Sequence, residues 1–398
     1  MTAPPAPSDQ DPREGRSRVR LLGYNPAFDG LRGMAVLAVL AYHFRPFGAA
    51  RGGWIGVDVF FALSGFLITT LLLNELALTG RVSLGRFHVR RALRLQPALW
   101  LFLASWLVAA MVLGRYYWFS TVPGFPVGHG APLAPWVAVR GVIGTVAQIY
   151  NWMAIGHHSM PPIGHVWSLA IEEQFYLVWP VLLLLVVRLR PQAMLRLTGL
   201  MTVASSAACL VLAQAGVTDG RAYFGTDTRA QALLLGALVA QLYATGRFDS
   251  WAPRLTAKLL FGGAAVGIAL ITLLVDDHSR FRDLGGFSLI DLASAVVVAG
   301  LASGVSSRAS RLLSHPVIVW VGKRSYAIYL WNYVIATWLH PLGTIGFVPG
   351  LAASLGMAEL SWRLVERRAL SLKGRFGRRP EPAAAAAPPR SPAVAPAG

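Results

Sequence analysis

Cysteine and lysine are scarce in this 398-residue chain, and charge of either sign is thin. The single cysteine, Cys209, excludes an intramolecular disulfide and a cysteine-built metal site. Its place in an apolar run suits a plain buried thiol. Only Lys258, Lys323 and Lys373 are lysines among the 36 basic residues, and with abundant Ala, Gly and Pro this bias points to GC-rich coding. Charged residues make up 14% of the chain, against about 25% in an ordinary soluble domain. What is present instead is apolar: 55% hydrophobic residues and a mean hydropathy of +0.52. Long apolar runs recur from Leu31 to the 360s, which places the chain in the membrane class. The first 20 residues are polar and Pro-rich, with no small-residue cleavage site after the first apolar run, so no cleavable secretory signal is expected.

The net charge of +18 would suggest a nucleic-acid partner in a soluble protein. Here the basic residues cluster in short segments between apolar runs, and the positive-inside rule accounts for them without nucleic acid. A span needs roughly 20 mainly apolar residues. Ten such stretches are expected, near 31–49, 54–75, 97–113, 167–188, 197–216, 227–245, 257–275, 284–305, 324–343 and 344–363. With both termini in the cytoplasm, the segments 81–96, 189–196, 246–256 and 306–323 and the tail carry most of the arginines inward. If the further apolar stretch 135–155 also crossed, the later basic loops would face outward, so it is read as re-entrant or interfacial. The expected fold is an all-α polytopic membrane protein of about ten helices spanning residues 21–370. Residues 1–20 and 371–398 are Pro/Ala-rich and expected to be disordered cytoplasmic ends.

Against this apolar background a few polar residues stand out, because ionisable groups inside spans are costly. In "FDGLRGMAVLAVLAYHF", Arg32 and His43 are 11 residues apart, hence about 20° apart around a helix and about 16 Å apart along it. The bland alternatives are a snorkelling arginine and a hydrogen-bonded core histidine. In "GVDVFFALSGFLIT", Asp58 lies in a first helical turn, where it either complements the dipole or serves a site. Ser64-Gly65 either permits close helix packing or adds to that site. In "GRFHVRRALRLQP", the i,i+3 pair Arg91 and Arg94 is either topogenic or a cradle for phosphates, which guanidinium binds bidentately. In "GHVWSLAIEEQFYLVWP", His165, Ser168 or Leu169, Glu172 and Tyr176 share one helical face, and Glu172 is a second ionisable candidate beside His43. Asp227 and Arg229 sit at the lip of a later span. Ser325, Tyr326, Tyr329 and Asn332 sit on another, where helix–helix pairing would also explain them. His157, His158 and His165 are too weakly arranged to suggest a metal, and none is expected.

Taken together and in order, these stretches resemble the acyltransferase-3 family of integral membrane acyltransferases, from about Phe28 to Arg368. Arg32 and His43 match the family's Arg/Lys-x10-His signature. Gly56–Thr69, Arg90–Pro97, His165–Pro180, Asp227–Gly236 and Ser325–Trp331 match its further blocks. The chain departs from the pattern at Asn332, where a histidine is usual after "YLW", and at Val365-Glu366-Arg367-Arg368, where "VERP" is usual. Some family members carry a fused extracytoplasmic esterase-like domain, and none is expected within these 398 residues.

The resemblance implies transfer of an acyl group, often acetyl, from acyl-CoA as co-substrate to a carbohydrate hydroxyl, with no permanently bound cofactor. Arg91 and Arg94 would hold the donor's phosphates, and Arg32 would guide it inward. His43, as a neutral base, would take the acceptor's proton, a role contributing about 10²–10⁴-fold. Glu172 would orient that imidazole or bind the acceptor. Asp58, Ser64, His165, Trp167, Ser168, Tyr176, Asp227 and Arg229 are assigned to substrate binding. The expected partners are acyl-CoA, a glycan or glycoside acceptor and the bilayer. A surface polysaccharide is the expected acceptor, and a glycosylated secondary metabolite such as a macrolide is the alternative. Outside the enzyme class, a proton-coupled transporter would also place His, Glu and Arg inside helices.

Overall fold

Where the sequence runs apolar, the computed structural model forms helix, and among the described residues there is no strand. The structure describes residues 20–44, 50–113, 135–155, 163–189, 193–215, 217, 220–247, 254–275, 281, 285–305 and 307–372. The expectations for the two termini fall outside this set, apart from residues 20, 371 and 372, the last two of which end a helix. The first helices are α1 (Pro26–Phe44), α2 (Gly56–Thr79), α3 (Leu84–Leu113), α4 (Pro135–Val146) and α5 (Tyr150–Ile155). There follow α6 (Trp167–Leu189), α7 (Ala193–Gln214), α8 (Arg221–Phe224), α9 (Thr226–Ala244), α10 (Arg254–Leu274) and α11 (Phe287–Ala302). The chain continues through α12 (Arg308–Leu313), α13 (Pro316–Lys323), α14 (Ser325–Leu339), α15 (Phe347–Ser361) and α16 (Arg367–Leu372).

Among the described residues, six helices are long and apolar enough to cross a bilayer: Gly53–Thr79, Leu84–Val112, Gly164–Val187, Ala193–Gln214, Thr256–Leu274 and Leu342–Leu372. The other four expected spans are also helical, but length and composition do not qualify them. With 16 and 15 residues, α11 and α14 fall short of a bilayer's thickness. Asp29 and Arg32 interrupt α1, and Asp227, Arg229, Gln231 and Gln241 interrupt α9. These polar helices are largely enclosed by the others, which relieves them of the need to be apolar. The stretch 135–155 forms two short helices rather than one span. They are joined by a turn in which Gln148 takes a positive φ of 58°. Asn151 and Gln174 then tie α5 to α6, and the Asn151 amide donates to the Thr226 hydroxyl of α9 at 2.9 Å.

Burial separates centre from rim. Of the most apolar stretch in Gly53–Thr79, 83% is buried, against 6% in Thr256–Leu274, so α2 is the hub and α10 faces outward. Helix α2 packs on α9 through reciprocal glycines: a Cβ on Gly65 would strike the Leu233 backbone, and one on Gly236 would strike that of Ala62. The expected cytoplasmic segment 81–96 and the span 97–113 form one continuous helix, α3, of 30 residues. At 1.5 Å per residue it is about 45 Å long, exceeding a hydrocarbon core of about 30 Å. Pro97 sits within it, and its missing N–H deprives only the Leu93 carbonyl of a partner. The extra length carries the basic half of α3 along the same axis as the span.

Candidate functional site

Arg32, Ser64, Arg91, Arg94, Ser168, Glu172 and Tyr176, flagged by their cost, converge on a cavity of about 610 Å³, whose walls come from α1, α2, α3, α6 and α14. Its volume lies within the ~300–1,000 Å³ range of small-molecule sites. One end is basic and is lined by Arg32, Arg90, Arg91 and Arg94. Three of these arginines already hold a carboxylate. Arg32 lies 3.7 Å from Asp29, and Arg90 lies 3.0 Å from Glu75. Arg91 lies 3.7 Å from Glu172 and 3.6 Å from Glu173, with its guanidinium over the Tyr176 ring. Arg94 makes no ion pair or hydrogen bond among the described residues, although it is exposed to the cavity. At the mouth, the Tyr24 phenol donates to Asp29 at 2.9 Å, and that bond raises its pKa above the usual phenol value.

Glu172 is held from several sides. The Ser64 hydroxyl donates to it at 3.2 Å and the Tyr176 phenol at 2.9 Å, while Arg91 approaches from α3. The i,i+4 spacing on α6 brings Tyr176 to Glu172, as the sequence pattern requires. His43 meets Asn332 of α14, with Nδ1 2.5 Å from the amide oxygen. Glu172 is therefore part of the cavity wall with Arg91, and the hydrogen bond orienting the imidazole comes from α14.

His43 does not line the cavity. The inner end closes on Ser168 and Tyr329. The Tyr329 hydroxyl donates to the His165 carbonyl at 2.6 Å, so it accepts from Ser168, also at 2.6 Å. Behind this latch lies His165, whose Nε2 donates to the Leu330 carbonyl at 3.0 Å. Its ring meets Tyr329 at 5.4 Å and Tyr333 at 4.9 Å between centroids, and Tyr333 in turn meets His43 at 5.0 Å. Ser168, His165, Tyr329 and Tyr333 thus form a layer between the cavity and His43.

Four expected substrate-binding residues stand elsewhere. Asp58 and Arg229 form a buried ion pair, 0% and 1% exposed, on the face of α2 turned to α9 and α11. The Arg229 guanidinium lies 4.0 Å from the Phe287 ring centre, and a second buried carboxyl, Asp291, belongs to the same group. Asp227 instead binds Arg221 through two bonds of 2.8 and 2.6 Å. Trp167 packs on Phe61, Tyr223 and Phe224 outside the cavity. His157 and His158 lie outside the described residues, among which no three His, Cys, Asp or Glu side chains cluster as a metal site would require. Sequence reasoning passed over Asp29 and Glu75, the carboxylates that occupy Arg32 and Arg90. It read Asn332 as a polar group on a late span, and an amide inside "YLWNYVI" was the only local sign of its role.

A family model described as an acyltransferase domain matches residues 25–361. A peptidoglycan O-acetyltransferase of Listeria monocytogenes is 33% identical over 86% of this chain and 55% of its own. A Bacillus subtilis protein provisionally named a peptidoglycan O-acetyltransferase is 34% identical over 86% of this chain and 54% of its own. A Staphylococcus aureus protein provisionally named an O-acetyltransferase is 31% identical, over 89% and 58%. The chain thus spans just over half the length of these curated relatives. No solved structure matches it.

Proposed function

The chain belongs to the acyltransferase-3 family, and from that membership we propose that it moves an acetyl group from acetyl-CoA to a hydroxyl of a carbohydrate at the membrane. The relatives' names favour a glycan strand such as peptidoglycan over a glycosylated secondary metabolite as acceptor. The observation that carries the reading is Arg94, exposed in a cavity beside Arg32 and Arg91 and holding no carboxylate. Each of its neighbours has its charge offset by an acid, so the cavity keeps one guanidinium for an anion brought from outside. A phosphate is the anion that guanidinium holds best, in a bidentate and charge-assisted way.

On this reading the nucleotide end of the donor rests at the basic end and the acyl arm points inward. The latch of Ser168 and Tyr329 must move for the thioester to reach His43. His43 then takes the acceptor hydroxyl's proton as the oxygen attacks the thioester carbonyl, and the sulfur leaves as CoA thiol, balancing the proton. Holding Glu172 between Arg91, Ser64 and Tyr176 gives the cavity wall a fixed carboxyl group that sets where Arg91 can point.

The test uses the protein in nanodiscs with radiolabelled acetyl-CoA and a panel of peptidoglycan fragments and glycosides. Wild type should label a carbohydrate hydroxyl. His43→Ala should lose about 10²–10⁴-fold of kcat, as expected for a general base. Label transfer that survives His43→Ala would remove the base role. Flux of a solute across the membrane without CoA turnover would replace the enzyme reading with a transporter.

A further inference from the structure

His43 and Asn332 are separated by 289 positions in the chain and joined by a 2.5 Å contact. Which atom donates is settled by the other end of the amide. The Asn332 Nδ2 group donates to the carbonyls of Ile328 at 2.9 Å and Tyr329 at 2.8 Å, both one turn back on α14. Turning the amide over would face an oxygen toward two oxygens, so its orientation is fixed. The atom facing His43 is then a carbonyl oxygen, which accepts only. The proton in that contact belongs to the imidazole, on Nδ1. In a neutral ring the lone pair therefore lies on Nε2.

Packing reinforces the assignment. Asn332 is fully buried, so its amide oxygen is shielded from water that would compete for the contact. The edge of the His43 ring against Tyr333 fixes the ring plane as well as its hydrogen bond. Residue types with no accepting oxygen would leave the tautomer unspecified, and a base in the wrong tautomer presents a proton where a lone pair is needed.

From this geometry we infer that Asn332 is a positioning residue, which holds His43 in the Nδ1–H tautomer so that Nε2 is the nitrogen that receives the acceptor's proton. The catalytic half of this inference rests on the function proposed above, and the structural half does not.

Two readouts separate the halves. The chain has nine histidines, so the protein is labelled with ¹⁵N-histidine in nanodiscs and the His43 ring signals are identified by their loss in His43→Gln. Wild type should show a protonated Nδ1 and an unprotonated Nε2. Asn332→Leu should lose that preference, and Asn332→Asp, which keeps an accepting oxygen, should retain it. In the acetyl-transfer assay, Asn332→Leu should lower kcat about 10²-fold, the lower end of a general base's contribution, with KM for acetyl-CoA changed by no more than about twofold. Asn332→Asp should restore much of the loss. Combining Asn332→Leu with His43→Gln should add no further loss if Asn332 acts through that ring. A wild-type His43 protonated on Nε2, or a tautomer unchanged in Asn332→Leu, overturns the inference. The wild-type signal needs no substitution at position 332, so a misfolded variant does not remove the test. Full activity in His43→Gln would overturn the base reading itself, and the nitrogen shifts keep the two failures apart.

Discussion

Arg94 differs from the other arginines of the cavity in having nothing to hold, and the difference sets what each substitution should do. Arg94→Ala removes a charge-assisted contact to a ligand and breaks none within the protein. KM for acetyl-CoA should rise about tenfold or more with thermal stability unchanged, since a hydrogen bond to a charged group contributes about 1.5–3 kcal/mol. Arg91→Ala should show no such clean separation. It strips the partner from Glu172 and Glu173, so purified protein should melt earlier as well as bind donor less tightly. An Arg94→Ala enzyme with wild-type KM would show that the donor's phosphates lie elsewhere. The pair Arg91 and Arg94 was legible in the sequence from its i,i+3 spacing on one helix, whereas Arg32, on another helix, was linked to them only through the family resemblance. Their pairing states were not legible, because Glu75 and Asp29 read as ordinary charges until the fold brings them within reach. Asn332 was the least legible of all. Nothing local to "YLWNYVI" says that its amide oxygen meets a histidine on the first helix.

At the scale of the element, α2 does two jobs on opposite faces. One face supplies Phe60, Phe61, Ser64 and Asn74 to the cavity, and the other buries Asp58 against Arg229. Removing one partner of a buried ion pair leaves an uncompensated charge and costs about 3–5 kcal/mol. Arg229→Met should therefore destabilise the protein by roughly that amount, read as a lowered unfolding midpoint in detergent, and should disturb the cavity only through movement of α2. A midpoint within error of wild type would show that Asp58 and Asp291 share the burden without Arg229. The glycine contacts make a related demand, because Gly65→Leu has to push α2 off the α9 backbone. It should lower the midpoint too, overpacking being worth about 1–3 kcal/mol. The sequence marked Asp58, Ser64-Gly65 and the Asp227–Gly236 block as costly, and small residues as packing sites. It did not reveal that Asp58 and Arg229 satisfy one another, because sequence spacing speaks within a helix and their pairing runs between two, 171 positions apart.

For the whole molecule, periodicity and hydropathy located the helices but not how many of them cross. A helix enclosed by other helices is free to be short or polar, as α14 and α9 are, and the rule of about 20 apolar residues describes only those that meet lipid. The stretch 135–155, expected to be re-entrant or interfacial, is divided into two short helices by a turn at Gln148.

The layer of Ser168, Tyr329, His165 and Tyr333 has an electrical consequence. A cavity reaching into a membrane bundle shortens the path across which the protein has to insulate, and the layer closes its inner end with aromatic rings and a hydroxyl pair. Each unit charge that slips through at 100 mV dissipates about 2.3 kcal/mol of the cell's stored gradient. Tyr329→Ala, which opens the latch, should make proteoliposomes leak protons, seen as faster collapse of an imposed pH gradient than with wild type. Equal decay rates would place the insulating seal elsewhere in the bundle. A membrane that is energised across such a protein can therefore tolerate the deep cavity only while the latch stays shut between turnovers.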